Sequence, residues 1–110
     1  MNGYKLLDDA CRLLGLEGAD DNVKIIGRPL VNAILGELGF APIDSLSELV
    51  GVLSSRAEQA LLFGTAMLIA GATGDETGKN TMSELYGRKR AALKGRISSV
   101  KARFPGGGNL

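Results

Sequence analysis

The sequence predicts an all-α protein: a small bundle of about four helices with a long C-terminal helix and a flexible Gly-rich tail. Apolar residues recur at spacings of three and four along most of the chain, which is the period of an amphipathic helix. No segment alternates convincingly with period two, as a half-buried strand would. Aromatic residues are only 5% of the chain and Trp is absent, so the core must consist of aliphatic side chains that suit helices. With 110 residues, we expect one domain over residues 1–104 and a tail over 105–110.

The first helix is expected from about Asn2 to Leu14, with Gly15 and Gly18 closing it. The second is expected to start at Asp20 or Asp21, either of which can cap a helix, and to run to about Leu38. Its predicted buried face consists of Ile25, Ile26, Leu30, Ile34, Leu35 and Leu38.

Proline interrupts the pattern of the second helix. Pro29 either kinks this helix or splits it at Arg28, because proline lacks the N–H and clashes with the preceding turn. Gly39 and Pro42 are expected to terminate it.

Two capping-box patterns follow the second helix. Ser45-Leu46-Ser47-Glu48 predicts a short helical turn through Leu49 and Val50, and a short strand pair around residues 40–54 is the competing possibility. Ser55-Arg56-Ala57-Glu58 predicts the start of the third helix. The run from Leu61 to Ala70 is apolar nearly all round, so this helix should lie at the centre of the fold. The small pairs within it, Ala60 with Gly64 and Ala66 with Ala70, are explained by close packing inside one core.

The fourth helix is expected from about Glu76 to Phe104, roughly 40 Å long at 1.5 Å per residue. One stripe of this helix is apolar, and it consists of Met82, Tyr86, Leu93, Ile97, Val100 and Phe104. The opposite face carries small residues that allow a close backbone approach: Gly87, Ala91, Gly95, Ser98 and Ala102. Gly87 and Gly95 leave the straightness of the helix open.

The residue types argue against catalysis and metal binding, so we expect neither an enzyme nor a cofactor. Histidine, the commonest general base and metal ligand, is absent. Cys11 has no histidine partner and is expected to be an inert core cysteine. The acidic pairs Asp20-Asp21 and Asp75-Glu76 lie where helices begin and are interpreted as caps.

The segment before the fourth helix resembles a phosphate-binding loop only in part. Gly78-Lys79 fits the P-loop pattern, but Thr73 stands where the first glycine belongs and Asn80 replaces the magnesium-binding hydroxyl. The preceding segment also reads as helix rather than strand. An ordinary helix–helix loop explains these glycines.

The sequence pattern favours a cytosolic location without membrane contact. Cys11 is the only cysteine, so it cannot form a disulfide within the chain. The first residues lack the apolar region of a signal peptide. The longest apolar stretch, Ala60 to Ala72, is too short to span a bilayer.

Charge is divided along the chain. Residues 1–78 carry five basic and eleven acidic side chains, whereas residues 79–110 carry eight basic and one acidic. The cluster that forms the candidate interface or DNA-channel surface is Arg88, Lys89, Arg90, Lys94, Arg96, Lys101 and Arg103. Three interpretations stay open: a solvated basic helix, a surface between subunits, or direct contact with nucleic acid.

The second half of the chain resembles the head–tail connector (adaptor) proteins of tailed bacteriophages. The resemblance lies in the apolar stretch 60–70 with its Ala-Met pair, the turn at Gly74-Asp75, Asn80, and the run 85–91 (Leu-Tyr-Gly-Arg-Lys-Arg-Ala). Pro105, just after Phe104, is also similar. The match covers about residues 55–105, and the N-terminal half matches only in its pattern of helices.

This resemblance implies a structural role rather than a reaction. Connectors of this family assemble as a homo-oligomeric ring beneath the portal protein, extend the DNA channel and receive the next neck or tail completion protein. For this chain, the resemblance implies a phage or prophage product that assembles in the cytoplasm of a bacterial host and has its final place in the virion neck. The DNA passing through the channel would be contacted without sequence preference, and the free protein can be a monomer. The rival hypothesis is a small helical nucleic-acid-binding protein, such as a packaging or regulatory factor, that uses the basic fourth helix.

Overall fold

The computed structural model describes the backbone of residues 1–51 and 53–103, and the side chains of residues 1–51 and 53–93. Within them the chain forms four helices in the order α1 (Gly3–Leu13), α2 (Asp21–Glu37), α3 (Ser55–Thr73) and α4 (Glu76–Arg103). The predicted all-α fold is confirmed. No strand occurs in the described part of the chain, where the single antiparallel bridge joins Asn2 and Leu49.

Helix α3 lies at the centre, as its apolar run predicts, and packs against each of the other three helices. Eight of its residues are buried: Ala57, Ala60, Leu61, Gly64, Thr65, Ala66, Ile69 and Ala70. Because most of them are small, neighbouring helices approach closely. A Cβ at position 64 would lie 2.8 Å from Ile34 Cγ2 of α2 and 2.9 Å from Tyr86 Cε1 of α4. The small pairs of this helix therefore serve close packing inside one core.

The helix starts are capped by side-chain oxygens. Asn2 accepts from the amide of Lys5 and begins α1, and Asp20 accepts from the amide of Val23 and begins α2. In α3, the cap is Ser54, whose hydroxyl accepts from Ala57 N, and not Ser55 as the capping-box pattern predicts. Both are serines, so the pattern identifies the helix but places its start one residue late.

The structure corrects two expectations about α2. Pro29 lies inside one continuous helix, so of the two alternatives, a kink or a split at Arg28, the split does not occur. Ile25, expected in the core, is 76% exposed. The prediction is right for Ile34 and Leu35, which are buried, and Leu30 and Leu38 pack partly against the core. The other buried positions of this helix are Val23, Gly27 and Val31, and this face points away from Ile25 and Pro29. Proline has no N–H group, so Pro29 cannot donate to the carbonyl of Ile25. That carbonyl lies on the solvent side of the helix, where water can replace the missing donor.

The predicted helical turn at residues 45–50 is also wrong. Glu48 closes a single turn by donating its amide to Ser45 O, while its carboxylate accepts from Asp44 N. The chain then leaves the helical path because Val50 N donates to Met1 O and Leu49 pairs with Asn2. The competing strand pair is not formed either, since this pairing is one isolated bridge.

One side chain positions the long connection between α2 and α3. The amide of Asn32 donates to Ile43 O at 2.9 Å and accepts from Ile43 N at 2.8 Å. Ile43 is buried beside Leu46 and Val50 in the core. The connection is thus held to α2 although it forms no helix of its own.

Candidate interaction surface on the fourth helix

Helix α4 starts directly behind α3, with a two-residue link. Gly74 has φ +80°, the left-handed conformation that glycine adopts easily at a helix C-terminus. Asp75 then accepts from Gly78 N at 2.9 Å and caps α4. The Gly-Asp segment is therefore a helix–helix connection with an acidic cap, as predicted. The P-loop interpretation does not fit, because a helix rather than a strand precedes the segment.

The first half of the apolar stripe of α4 packs on the bundle. Met82 is 7% exposed, Tyr86 is 5% exposed, and Leu93 is partly buried against the core. The helix continues without interruption through Gly87 and on to Arg103. The remaining stripe positions, Ile97, Val100 and Phe104, lie outside the residues whose side chains are described. The predicted long helix is present, and its apolar stripe is confirmed for Met82, Tyr86 and Leu93.

Tyr86 connects the core to charged residues. Its hydroxyl donates a hydrogen bond to Glu37 Oε1, and Arg90 Nη1 lies 3.8 Å from the same oxygen. Glu37 is the last residue of α2, and Tyr86 and Arg90 are one turn apart on α4. One carboxylate oxygen therefore joins the end of α2 to two successive turns of α4.

The protonation of Tyr86 follows from this environment. Burial raises the pKa of the phenol well above its usual range, and the hydrogen bond to Glu37 and the charge of Glu37 raise it further, while Arg90 opposes them. The hydroxyl therefore keeps its proton at neutral pH and acts as a donor. Arg90 is held from one side only, since its buried Nε has no hydrogen-bond partner within the described residues.

Arg88 faces solvent on another side of the helix. It pairs with Glu84 one turn earlier, and both side chains are well exposed, at 70% and 65%. An exposed pair of this spacing stabilises a helix by only about 0.3–0.5 kcal/mol. Arg88 is therefore available to a partner that offers a stronger anion.

The structure places three residues of the candidate cluster on one stretch of α4. Arg88 is exposed, and Lys89 and Arg90 are partly exposed. Lys94, Arg96, Lys101 and Arg103 follow on the same helix, but their side chains lie outside the described residues. Helix α4 carries eight basic and two acidic residues in all. What sequence reasoning missed is Glu37, because no pattern links positions 49 residues apart.

An open groove of about 300 Å³ lies where α1 ends and α4 begins. It is lined by Leu13, Leu14, Asp75, Thr77, Gly78, Thr81 and Met82. Gly78 lets the two elements meet, since a Cβ there would lie 2.9 Å from Leu14 Cδ2. Leu13 is 41% exposed beside it. The lining is apolar with two threonine hydroxyls and one carboxylate. We name this feature the α1–α4 groove.

Other chemically interesting groups are few in the described part of the chain. Cys11 is buried, and burial first, then the charges of Asp20 and Asp8, raise the pKa of its thiol, in keeping with an inert core cysteine. Within residues 1–51 and 53–103 no three His, Cys, Asp or Glu side chains come together as a metal site. None of the helices in that part is long and apolar enough to cross a membrane.

Comparison with known proteins finds no match for this chain among protein-family models, curated proteins or solved structures.

Proposed function

We propose that this chain is a structural head–tail connector subunit of a tailed phage or prophage, which binds the portal and forms a ring that extends the DNA channel. One observation carries the proposal: the basic side chains are concentrated on a single long helix at the side of an otherwise acidic bundle. Eight of the thirteen basic residues belong to α4. A ring subunit needs such a division, because each copy must present different surfaces to its neighbours and to the channel.

The packing of α4 supports this role. Its apolar stripe is fixed to α3 by Met82 and Tyr86, so the basic residues that follow are held on a rigid element rather than on a loop. Rigid presentation lowers the ordering cost of assembly. The sequence resemblance over about residues 55–105 supports the same assignment.

In this proposal the partners are the portal protein, the neck or tail completion protein and further copies of the chain. DNA in the channel is contacted through phosphates, which a row of Lys and Arg attracts without reading sequence. Assembly takes place in the cytoplasm of the bacterial host, and the final location is the virion neck. The subunit has no enzymatic role and needs no cofactor.

The test uses the full chain and the portal rings of the phage or prophage that encodes it. Both are mixed at physiological salt, sedimented and imaged. Added ring-shaped density on the portal is the expected result. Portal rings that sediment without the chain would contradict the proposal.

Charge-reversal variants sharpen the test. Lys89→Glu changes the basic face of α4, and Lys24→Glu makes the same change at an exposed position of α2. We expect Lys89→Glu to weaken portal association and Lys24→Glu to leave it nearly unchanged. Equal effects would show that only net charge matters.

A small helical nucleic-acid-binding protein is the second candidate, and the basic composition of α4 is what favours it. In that case the isolated chain binds duplex DNA tightly, and its affinity falls steeply with salt. Lys89→Glu then reduces the salt slope by about one if this lysine contacts a phosphate. Tight DNA binding without portal association would replace the connector proposal with this one.

A further inference from the structure

The α1–α4 groove and the C-terminal segment lie at opposite ends of α4. Thr81, in the groove, is separated from Arg103 by 22 residues of continuous helix, which is about 33 Å at 1.5 Å per residue. Residues 104–110 span at most about 24 Å when fully extended. These seven residues therefore cannot reach the groove of their own chain, whereas those of a second copy can.

The chemistry of the groove matches that segment. Leu13 and Leu14 offer an apolar surface, and Asp75 is the charged residue of the lining. Residues 104–110 carry two large apolar side chains, Phe104 and Leu110, and no acidic side chain. Three successive glycines between these ends allow the backbone to lie close to the groove wall.

Charge favours the same pairing. At this end of α4, Asp75 and the exposed Glu76 are acidic and the exposed Lys79 is basic, so carboxylates outnumber ammonium groups there. The segment that must approach it follows Lys101 and Arg103, and residues 94–103 contain no acidic side chain. Opposite charges near the two surfaces direct the encounter and disfavour the reverse orientation.

We infer that residues 104–110 of one copy dock in the α1–α4 groove of the next, so that the neighbouring subunits contact each other head to tail. The inference deepens the proposed function, because it rests on a ring of like subunits and names the residues that join them. Each copy uses two different surfaces, and such contacts close into a ring or propagate as a filament. A segment this short forms a small, weak contact, so assembly requires a high local concentration or a template.

The experiment detects this contact between copies directly. Asn109→Cys is labelled with a nitroxide, while Cys11 stays unlabelled because it is fully buried. The labelled full-length chain is mixed with ¹⁵N-labelled wild-type chain, and signal loss in the ¹⁵N-labelled copy is recorded by NMR. We expect the loss to be concentrated at the backbone amides of Leu13, Leu14 and Thr81.

A matched pair of variants in the ¹⁵N-labelled copy controls for charge and folding. Thr81→Arg fills the groove and repels Lys101 and Arg103, which precede the docking segment, and arginine is the better helix former, so α4 stays folded. Ser83→Arg adds the same charge at an exposed position outside the groove. Signal loss should disappear in Thr81→Arg and persist in Ser83→Arg. Thr77→Lys, also in the groove, repeats the test if Thr81→Arg lowers the melting temperature.

Two results would overturn the inference: no signal loss at the groove, or equal loss in Thr81→Arg and wild type. The experiment is then repeated with portal rings added at the same concentration as the labelled chain. This repeat separates failure of the inference from failure of the proposed function. Portal association without contact at the groove refutes the head-to-tail contact and leaves the connector proposal standing. Failure of both refutes the connector proposal as well.

Discussion

Helices α3 and α4 are neighbours of opposite character. Helix α3 is buried on most sides and consists largely of small and aliphatic residues, whereas α4 buries Met82 and Tyr86 and exposes much of its charge. Both contain a glycine in the helix interior. Gly64 of α3 has Ile34 and Tyr86 against it, and Gly87 of α4 has no atom within 4 Å of the place where a Cβ would stand.

The difference shows that the two helices are specified by different constraints. Helix α3 packs against three neighbouring helices, so at its buried positions side-chain volume decides which substitutions are tolerated. In α4, Met82 and Tyr86 fix the helix to the bundle, and exposed residues such as Arg88 can contact partners. Substitutions in α3 should therefore change stability, and substitutions on the outer faces of α4 should change binding.

The largest effect is expected from Gly64→Ala. The added methyl meets Ile34 Cγ2 and the ring of Tyr86 at less than 3.0 Å, and neither group is the end of a flexible side chain. Gly87→Ala gains the same helix propensity without a clash. The free energies of unfolding of the two variants should differ by about 1–3 kcal/mol, measured by urea denaturation. Equal stabilities would mean that α3 is less tightly packed than described.

The next effect is that of Tyr86→Phe, which removes the hydrogen bond to Glu37 and should lower stability by about 1 kcal/mol. Because the folded-state pKa of the phenol is raised, the unfolded chain loses this proton first. The contribution of Tyr86 to the free energy of unfolding is therefore complete below about pH 10, and it declines as the pH rises above that value.

Denaturation measured as a function of pH tests this directly. Wild type should lose stability above about pH 10 more steeply than Tyr86→Phe does. Tyr4→Phe is the matched control, because Tyr4 is 44% exposed, and it should keep the wild-type slope. If Tyr4→Phe flattened the curve as much, the burial of Tyr86 and its hydrogen bond to Glu37 would not be the cause.

A smaller, stabilising effect is expected from Gly87→Ala. The site is open and its backbone is helical, so alanine should raise the free energy of unfolding by about 0.5–1 kcal/mol. Thermal denaturation would show this as a higher melting temperature. A lower one would indicate that Gly87 is packed against another copy, which a concentration series would reveal.

The smallest effect on stability is expected from Arg88→Ala. It removes an exposed pair with Glu84 worth at most about 0.5 kcal/mol, and alanine regains part of that through helix propensity. Portal or DNA binding should change more than stability does. A loss of stability above about 1 kcal/mol would mean that Arg88 has a structural role.

The sequence predicted those parts of the fold in which local signals agree with tertiary packing. In α3 the capping serine and the apolar run identify both the helix and its central place. In α2 the pattern misplaced Ile25, because apolar residues there exceed what one buried face can hold. At Glu48 the capping-box spacing was present, but backbone bonds to the N-terminus prevailed over the helical turn.

The candidate surface was predictable only as composition. A run such as Arg88-Lys89-Arg90 predicts basic charge on a helix. It does not predict that Arg90 lies near Glu37 of α2, whereas Arg88 pairs with Glu84 of its own helix. The α1–α4 groove had no sequence signal, because it depends on Leu14 and Gly78 meeting across the fold. Contacts of this kind follow from the packing of helices and not from the order of residues.

The side chain of Asn32 takes the place of a second β-strand beside Ile43. By donating to Ile43 O and accepting from Ile43 N, its amide reproduces one rung of a β-ladder with a side chain in place of the second strand. The path of the stretch between α2 and α3 thus depends in part on one side-chain amide, which a single substitution at position 32 removes. Amide protons of this stretch should exchange together with solvent deuterium once the rung is lost, long before those of α3. The rung itself does not depend on the side chain at position 43, because it uses only backbone atoms there, whereas it requires the amide of Asn32.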